Sequence, residues 1–246
     1  MKIENTVALV TGANGGIGRH YVEALQAAGA AKIYVCARKA ESVAEIVSTN
    51  PEKIIAISLD ITDEKSISDA ASQCQDISLL INNAGVGFNQ RLIAAQDLTL
   101  ARTEIEVNYF GTLAMCRAFA PILKKNGGGA IVNMLSILAR INFPLNSSYS
   151  ASKAAALSLT QGVRAELAVQ GTLVVGVMPG TVDTEKSKYY PPPKVSPVEV
   201  AKAALQAVID GVEDVYPGEQ ARELVEQLSK DPKAVEKQMA AMLQTP

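Results

Sequence analysis

The chain has little of what metal and disulfide sites are made from. It carries one histidine, His20, and three widely spaced cysteines, Cys36, Cys74 and Cys116, with no CxxC pair. One histidine cannot supply the multi-histidine sets of most catalytic zinc and non-haem iron centres, and scattered thiols give neither a disulfide framework nor a zinc site. No metal is expected, and the cysteines are expected to be buried free thiols. A charge excess is also missing, since 23 basic side chains face 25 acidic ones, so no nucleic-acid partner is expected. The longest uncharged run, Leu167 to Val182, is interrupted by Gln170, Gly171, Gly176 and Pro179, and leaves no membrane-spanning helix. Glu4 follows Lys2 with only a short apolar run after it, unlike a secretory signal; the cytoplasm is the expected compartment.

What is present is a globular composition: 246 residues, 48% apolar and 20% charged, which fits one domain spanning 1–246. Short apolar runs alternate with helix-like stretches, beginning with Thr6 to Thr11, a helix from about Gly16 to Ala28, and Ile33 to Cys36. Further strands are predicted at Ile54 to Ser58, Leu79 to Asn82, Ala130 to Leu135 and Leu173 to Met178. Each is separated from the next by enough chain for a helix, which predicts a parallel sheet. The continuous apolar character of Ile131-Val132 and of Leu173 to Val177 predicts strands covered on both faces, the centre of a doubly wound α/β fold. Ser196-Pro197-Val198-Glu199 reads as a capping box with proline at the first helical position. Beyond a short strand candidate at Asp214 to Gly218, the tail over about 218–246 reads as helical, with a break at Asp231-Pro232.

The first strand runs into Thr11-Gly12-Ala13-Asn14-Gly15-Gly16-Ile17-Gly18-Arg19, where glycines allow a tight turn and let backbone N–H groups approach a pyrophosphate at a helix start. The spacing is GxxxGxG, not the commoner GxGxxG, and no lysine stands where a P-loop requires one. Read alone, the turn could equally be a glycine-rich connection without a ligand. Further on, Tyr149 and Lys153 lie at i and i+4, on one face of an alanine-rich helix. A neighbouring ammonium and a cationic nicotinamide would lower the phenol from its usual ~10 toward neutral pH and make Tyr149 an acid/base. As a bare pair the two equally suit a solvated helix face. Ser136 lacks a GxSxG elbow and a histidine partner, which argues against a serine hydrolase.

Taken in order, Thr11-Gly12-x-x-x-Gly16-x-Gly18, Asp60, Asn82-Asn83-Ala84-Gly85, Asn108, Ser136, Tyr149-x-x-x-Lys153 and Pro179-Gly180 resemble the classical short-chain dehydrogenase/reductase pattern. The resemblance implies a Rossmann-type, doubly wound parallel sheet with helices on both faces. It also implies four catalytic roles: Tyr149 as acid/base, Ser136 orienting the substrate oxygen, Lys153 gripping the nicotinamide ribose and tuning Tyr149, and Asn108 holding a relay water. For the cofactor it implies Gly12, Asn14, Gly16, Ile17 and Gly18 at the pyrophosphate, Asp60 and Ile61 at the adenine, and Asn83, Ala84 and Gly85 near the ribose. Val182 and Thr184 would meet the carboxamide. At the end of the second strand Ala37 stands where NAD-using relatives carry an acid, and Arg38 beside it offers a fork to a 2′-phosphate. NADP(H) is therefore the expected cofactor, with NAD(H) not excluded.

By the same resemblance Ile137 to Leu145, Phe88 and the Tyr189 to Pro193 stretch, within a substrate loop at about 182–197, wall an apolar pocket; the alternative is that they fill core or an interface. Arg140 would meet an anionic group or lie in solvent. The expected substrate is a small apolar ketone or aldehyde, or the matching alcohol, handled by a homodimer or homotetramer. Two alternatives stay open: a 3-oxoacyl thioester reductase, which the long C-terminal tail disfavours, and a non-catalytic NADP(H)-binding sensor or scaffold.

Overall fold

Short strands rich in Val, Ile and Leu alternate with helices along the chain. The computed structural model, in which residues 1–243 are described, assembles them into one seven-stranded parallel sheet. The strands are β1 (Val7–Thr11), β2 (Lys32–Ala37), β3 (Ile54–Ser58), β4 (Leu79–Asn82), β5 (Ala130–Met134), β6 (Leu173–Val177) and β7 (Asp214–Val215). The helices are α1 (Gly16–Ala27), α2 (Ala44–Ser48), α3 (Glu64–Gln73), α4 (Thr99–Ile105), α5 (Thr112–Lys125), α6 (Ser147–Leu167), α7 (Pro197–Asp210), α8 (Glu219–Lys230) and α9 (Pro232–Ala241). The spatial order is β3-β2-β1-β4-β5-β6-β7. The chain therefore runs outward from β1 to β3, then returns to lay β4 on the other side of β1. Loops leaving β1 and β4 diverge at that switch point, where a doubly wound sheet opens a crevice.

The apolar strand runs are explained by two buried faces. Ala8 and Val10 of β1, Leu79 and Ile81 of β4, and Val175 and Val177 of β6 join the core under α1 and α7. The intervening Leu9, Leu80 and Val174 join the opposite core, under α3 and α5. Successive side chains point to opposite faces, so a strand covered on both sides is apolar along most of its length, with polar residues kept to its C-terminal end. Each fully buried Leu, Ile or Val contributes about 1.5–3 kcal/mol.

Helix ends follow the local sequence. Ser196 Oγ accepts from Val198 N at 3.1 Å and Glu199 N at 3.4 Å, with Pro197 at the first helical position of α7. The Glu199 half of the expected capping box is not found among the described residues. Asp231 Oδ1 accepts from Ala234 N at 2.9 Å and starts α9 at the expected break. The expected strand from Asp214 to Gly218 shortens to two residues, because Pro217 has no N–H to donate and Gly218 turns to φ +87°. All three cysteines are free and buried. Among the described residues no helix is long and apolar enough to cross a membrane, and 244–246 of the expected tail lie outside them.

Candidate active site

The switch point is stitched by side chains from both strands. Thr11 Oγ1 at the end of β1 accepts from Asn83 N at 2.9 Å and Ala84 N at 3.0 Å. Asn83 Nδ2 donates back to Thr11 O at 2.9 Å and Gly12 O at 3.1 Å. The Asn83 amide thus holds the turn. Gly12 has φ +62°, and a Cβ there would lie 3.0 Å from Ala84 Cα. At Gly18 a Cβ would fall 2.2 Å from Gly12 O, and at Gly16 it would fall 2.9 Å from the Thr184 methyl. A Cβ is thus excluded at Gly16 and Gly18, and α1 begins without a side-chain cap. A helix start left open in this way suits a pyrophosphate.

One strand over, past the end of β2, Arg38 is exposed beside the buried Ala37. Asp60 Oδ1 accepts from Thr62 Oγ1 at 2.7 Å and Thr62 N at 2.9 Å. These bonds, helped by the Arg38 charge and opposed by burial, hold its carboxyl below the ordinary range. Ile61 is buried, and Asn14 Nδ2 donates to Ser42 Oγ at 3.3 Å. Val182 bridges to Val195, while Thr184 caps a short turn at Glu185–Ser187 that brings its methyl onto Gly16.

The other predicted residues converge past the ends of β4 and β5. Buried Asn82 and Asn133 sit opposite each other in register; Asn82 Nδ2 donates to Asn133 Oδ1 at 2.9 Å, and Asn133 Nδ2 to Thr160 Oγ1 of α6 at 3.0 Å. This ladder fixes α6 against the sheet. Ser136 follows β5 directly, and its Oγ accepts from Leu138 N at 3.2 Å. Asn108 lies in a π-helical turn, Glu106–Gly111, between α4 and α5, a distortion frequent at functional sites. Its Nδ2 donates to Val86 O and Ser152 Oγ, both at 2.8 Å, and its Oδ1 accepts from Val86 N at 2.9 Å. A Cβ on Gly85 would lie 3.0 Å from Asn108 Oδ1 and 3.4 Å from Lys153 Nζ, so only glycine lets these groups meet.

Lys153 Nζ donates to Met134 O at 2.7 Å and lies 5.7 Å from the Tyr149 ring centre. Burial, with the Lys186 charge, pushes this ammonium down to about 8. The Tyr149 phenol shifts the other way: burial raises it to about 12, against the Ser136 hydroxyl bond that lowers it, and Glu104 adds to the rise. The expected lowering by Lys153 is not among these causes. Desolvation outweighs an ammonium turned toward Met134 O.

On the substrate side the structure departs from expectation. Tyr189 is 88% exposed, whereas Tyr190 donates its hydroxyl to Asn89 Oδ1 at 2.6 Å and ties the 182–197 loop to the loop after β4. Ile137 is buried against Ala221, Leu224 and Val235 of the C-terminal helices, with Leu138 and Ile141 packed on the same cluster; these side chains fill core. Arg140 donates to Tyr216 Oη at 3.0 Å. Sequence reasoning missed Glu104. It is fully buried, and its Oε1 accepts from Phe88 N at 2.8 Å. Its one available signal was its place four residues before Asn108, on the same helical face.

Comparison with known proteins agrees with this geometry. Residues 6–194 match the family model for short chain dehydrogenases. A solved short chain dehydrogenase from Burkholderia cenocepacia J2315, in complex with NADP, is 47% identical, covers all of both chains and superposes with a TM-score of 0.92. The bulky-bulky ketone specific alcohol dehydrogenase of Comamonas testosteroni is 25% identical, with 94% of this chain and 93% of that one covered and a TM-score of 0.78. A short chain dehydrogenase of Monascus purpureus is 36% identical over 202 residues, 77% of this chain and 69% of that protein. With its sheet order, glycine turn and Ser136, Tyr149 and Lys153 in place, the chain belongs to the short-chain dehydrogenase/reductase family of oxidoreductases.

Proposed function

We propose that this chain moves a hydride between NADP(H) and a small apolar ketone or aldehyde and its alcohol, with Tyr149 as the proton donor and acceptor. The observation that carries the reading is the meeting of Asn108, Ser136, Tyr149 and Lys153 beside a turn whose Gly16 and Gly18 leave no room for a Cβ. A nicotinamide bound there would supply or take the hydride. Gly12, Asn14, Gly16, Ile17 and Gly18 would hold its pyrophosphate, Asp60 and Ile61 its adenine, Ala84 and Gly85 the ribose side, and Val182, Thr184 and Lys153 the nicotinamide side. Negative charge developing on a substrate oxygen meets the Ser136 hydroxyl and is neutralised by the Tyr149 proton. The Lys153 ammonium, present below about pH 8, then steadies the phenolate. Asn108, whose backbone carbonyl already accepts from Thr112 Oγ1 at 2.9 Å, is assigned the relay water.

NADP over NAD rests on exposed Arg38 beside Ala37, where no acid competes for a 2′-phosphate, and on the NADP held by the Burkholderia relative. The ketone preference draws on the Comamonas enzyme. We further assign the whole chain to one cofactor-binding unit and place it in the cytoplasm, consistent with three unpaired buried thiols. Assembly as a homodimer or homotetramer is supported by exposed Phe110 and Leu98 beside α4.

The test is Tyr149→Phe, which keeps the ring and removes the proton. Turnover of a ketone panel with NADPH should fall ~100-fold or more, while NADPH binding measured by fluorescence stays within a few-fold. Near-normal turnover would sink the assignment, and wild-type protein that binds NADPH but turns over no carbonyl would favour the sensor reading.

A further inference from the structure

Among the described residues, five buried side-chain oxygens or nitrogens have no hydrogen-bond partner, and four of them belong to one neighbourhood: Gln90 Oε1, Glu104 Oε2, Asn146 Oδ1 and Ser148 Oγ. They come from the loop after β4, from α4 and from the start of α6, which are joined by Ser147 N donating to Gln90 O at 3.0 Å. Glu104 stands out because its side chain is a carboxyl group. It is fully buried, one carboxylate oxygen holds Phe88 N at 2.8 Å, and the other is unpaired. A buried carboxylate left half-satisfied is costly, and such groups persist where their field is used.

The bond to Phe88 N leads directly to the phenol. Gly87, next to Phe88, lies so close to Tyr149 that a Cβ on it would come 2.9 Å from ring atom Cδ2. Asn108 grips the same segment two residues earlier, at Val86 N and Val86 O. The loop is therefore clamped flat on the Tyr149 ring from both sides of Gly87, by one neutral amide and one carboxylate.

We propose that Glu104 is a positioning residue with two functions: its Oε1 holds the loop against the Tyr149 ring, and its buried carboxylate opposes formation of the Tyr149 phenolate that alcohol oxidation requires. The proposal deepens the reading of Tyr149 as the acid/base and rests on it. A neutral amide would serve the clamp equally well, as Asn108 does; the charge is what distinguishes Glu104. Each group facing Tyr149 has a defined sign. From the turn after β5, Ser136 favours the phenolate; from α4, Glu104 opposes it along with burial. Lys153, on Tyr149's own helix, turns its ammonium to Met134 O, and Lys186 of the 182–197 loop acts on Lys153. Glu104 is thus the acidic group set against the phenol.

The experiment separates clamp from charge. Glu104→Gln keeps an oxygen for Phe88 N and removes the charge, Glu104→Asp keeps the charge on a shorter arm, and Glu104→Ala removes both. The Tyr149 phenol is titrated in the free protein by NMR of ring-labelled tyrosine, with Tyr149→Phe identifying its signal, and kcat/KM for alcohol oxidation is followed against pH. In Glu104→Gln the titration midpoint and the basic shoulder of the oxidation profile should both move down by roughly 0.5 to 1 pH unit, with KM near wild type. Glu104→Asp should keep the wild-type midpoint and raise KM several-fold, and Glu104→Ala should show both changes. An unchanged midpoint in Glu104→Gln overturns the proposal. If that variant does not fold, a midpoint in Glu104→Asp lowered as far as in Glu104→Ala overturns it instead. The free-protein titration needs no turnover, so it stands apart from the test of Tyr149 as the acid/base.

Discussion

At the Tyr149 end of the cleft, Asn108, Ser136 and Lys153 are 1%, 8% and 5% exposed, and Val86, Ser152, Leu138 and Met134 hold their polar groups at 2.7–3.2 Å. At the adenine end Arg38 is exposed, and its influence is felt only as a weak pull on Asp60. One end is built for fixed geometry in a low-dielectric setting, where small displacements cost much of the rate. The other is a solvent-screened charge, to which we assign the choice between two cofactors. A mutation should therefore act steeply at the first end and gradually at the second.

The steepest break belongs to the turn between the two ends. Gly18→Ala places a Cβ 2.2 Å from Gly12 O and 2.8 Å from Ala13 Cα, and backbone atoms cannot rotate away. Displacing the turn should lower turnover ~100-fold and cost about 1–3 kcal/mol of stability, read as kcat/KM with NADPH and as a denaturant midpoint. Unchanged values would mean the turn does not seat the cofactor.

Lys153 sharpens the comparison through pH. Burial lowers its folded value from 10.5 to about 8, so between those values the unfolded chain binds the extra proton and stability rises with pH. Over that window the Lys153 contribution amounts to ~3 kcal/mol at most. Tyr149 works in reverse: its value rises from 10.0 to about 12, so its contribution is complete below pH 10 and lost as pH climbs toward 12. Lys153→Met should flatten the stability difference between pH 8 and 10, seen as Tm of the free protein relative to wild type. If the two Tm curves stay parallel through that window, the ammonium is not desolvated as described.

The smallest effect is expected at Arg38. A charged hydrogen bond is worth ~1.5–3 kcal/mol, which sets a ten- to hundredfold preference for NADPH over NADH. Arg38→Ala should erase most of that ratio in kcat/KM and, unlike Gly18→Ala, leave turnover at saturating cofactor nearly intact. A wild-type preference for NADH would move cofactor choice elsewhere.

The sheet and the glycine turn were legible because their causes are local. Strands covered on both faces read as apolar runs, as Leu79 to Ile81 does, and Gly12 and Gly16 are approached so closely by Ala84 and Thr184 that a side chain there would collide. The i, i+4 spacing of Tyr149 and Lys153 follows from helix geometry alone. The residues around them were another matter. Glu104 carries no motif; Tyr190, not Tyr189, turns toward Asn89; and Ile137 faces the C-terminal helices rather than a substrate.

Sequence by itself determined the order of strands and helices, the glycines of the turn and the spacing of Ser136, Tyr149 and Lys153, since backbone sterics and side-chain periodicity act over a few residues. Tertiary structure decided which groups face one another and how deeply each is buried. That depth is why the phenol stands near 12 and its lysine near 8 in the free site: desolvation depends on every element packed around a group, and no stretch of sequence contains it.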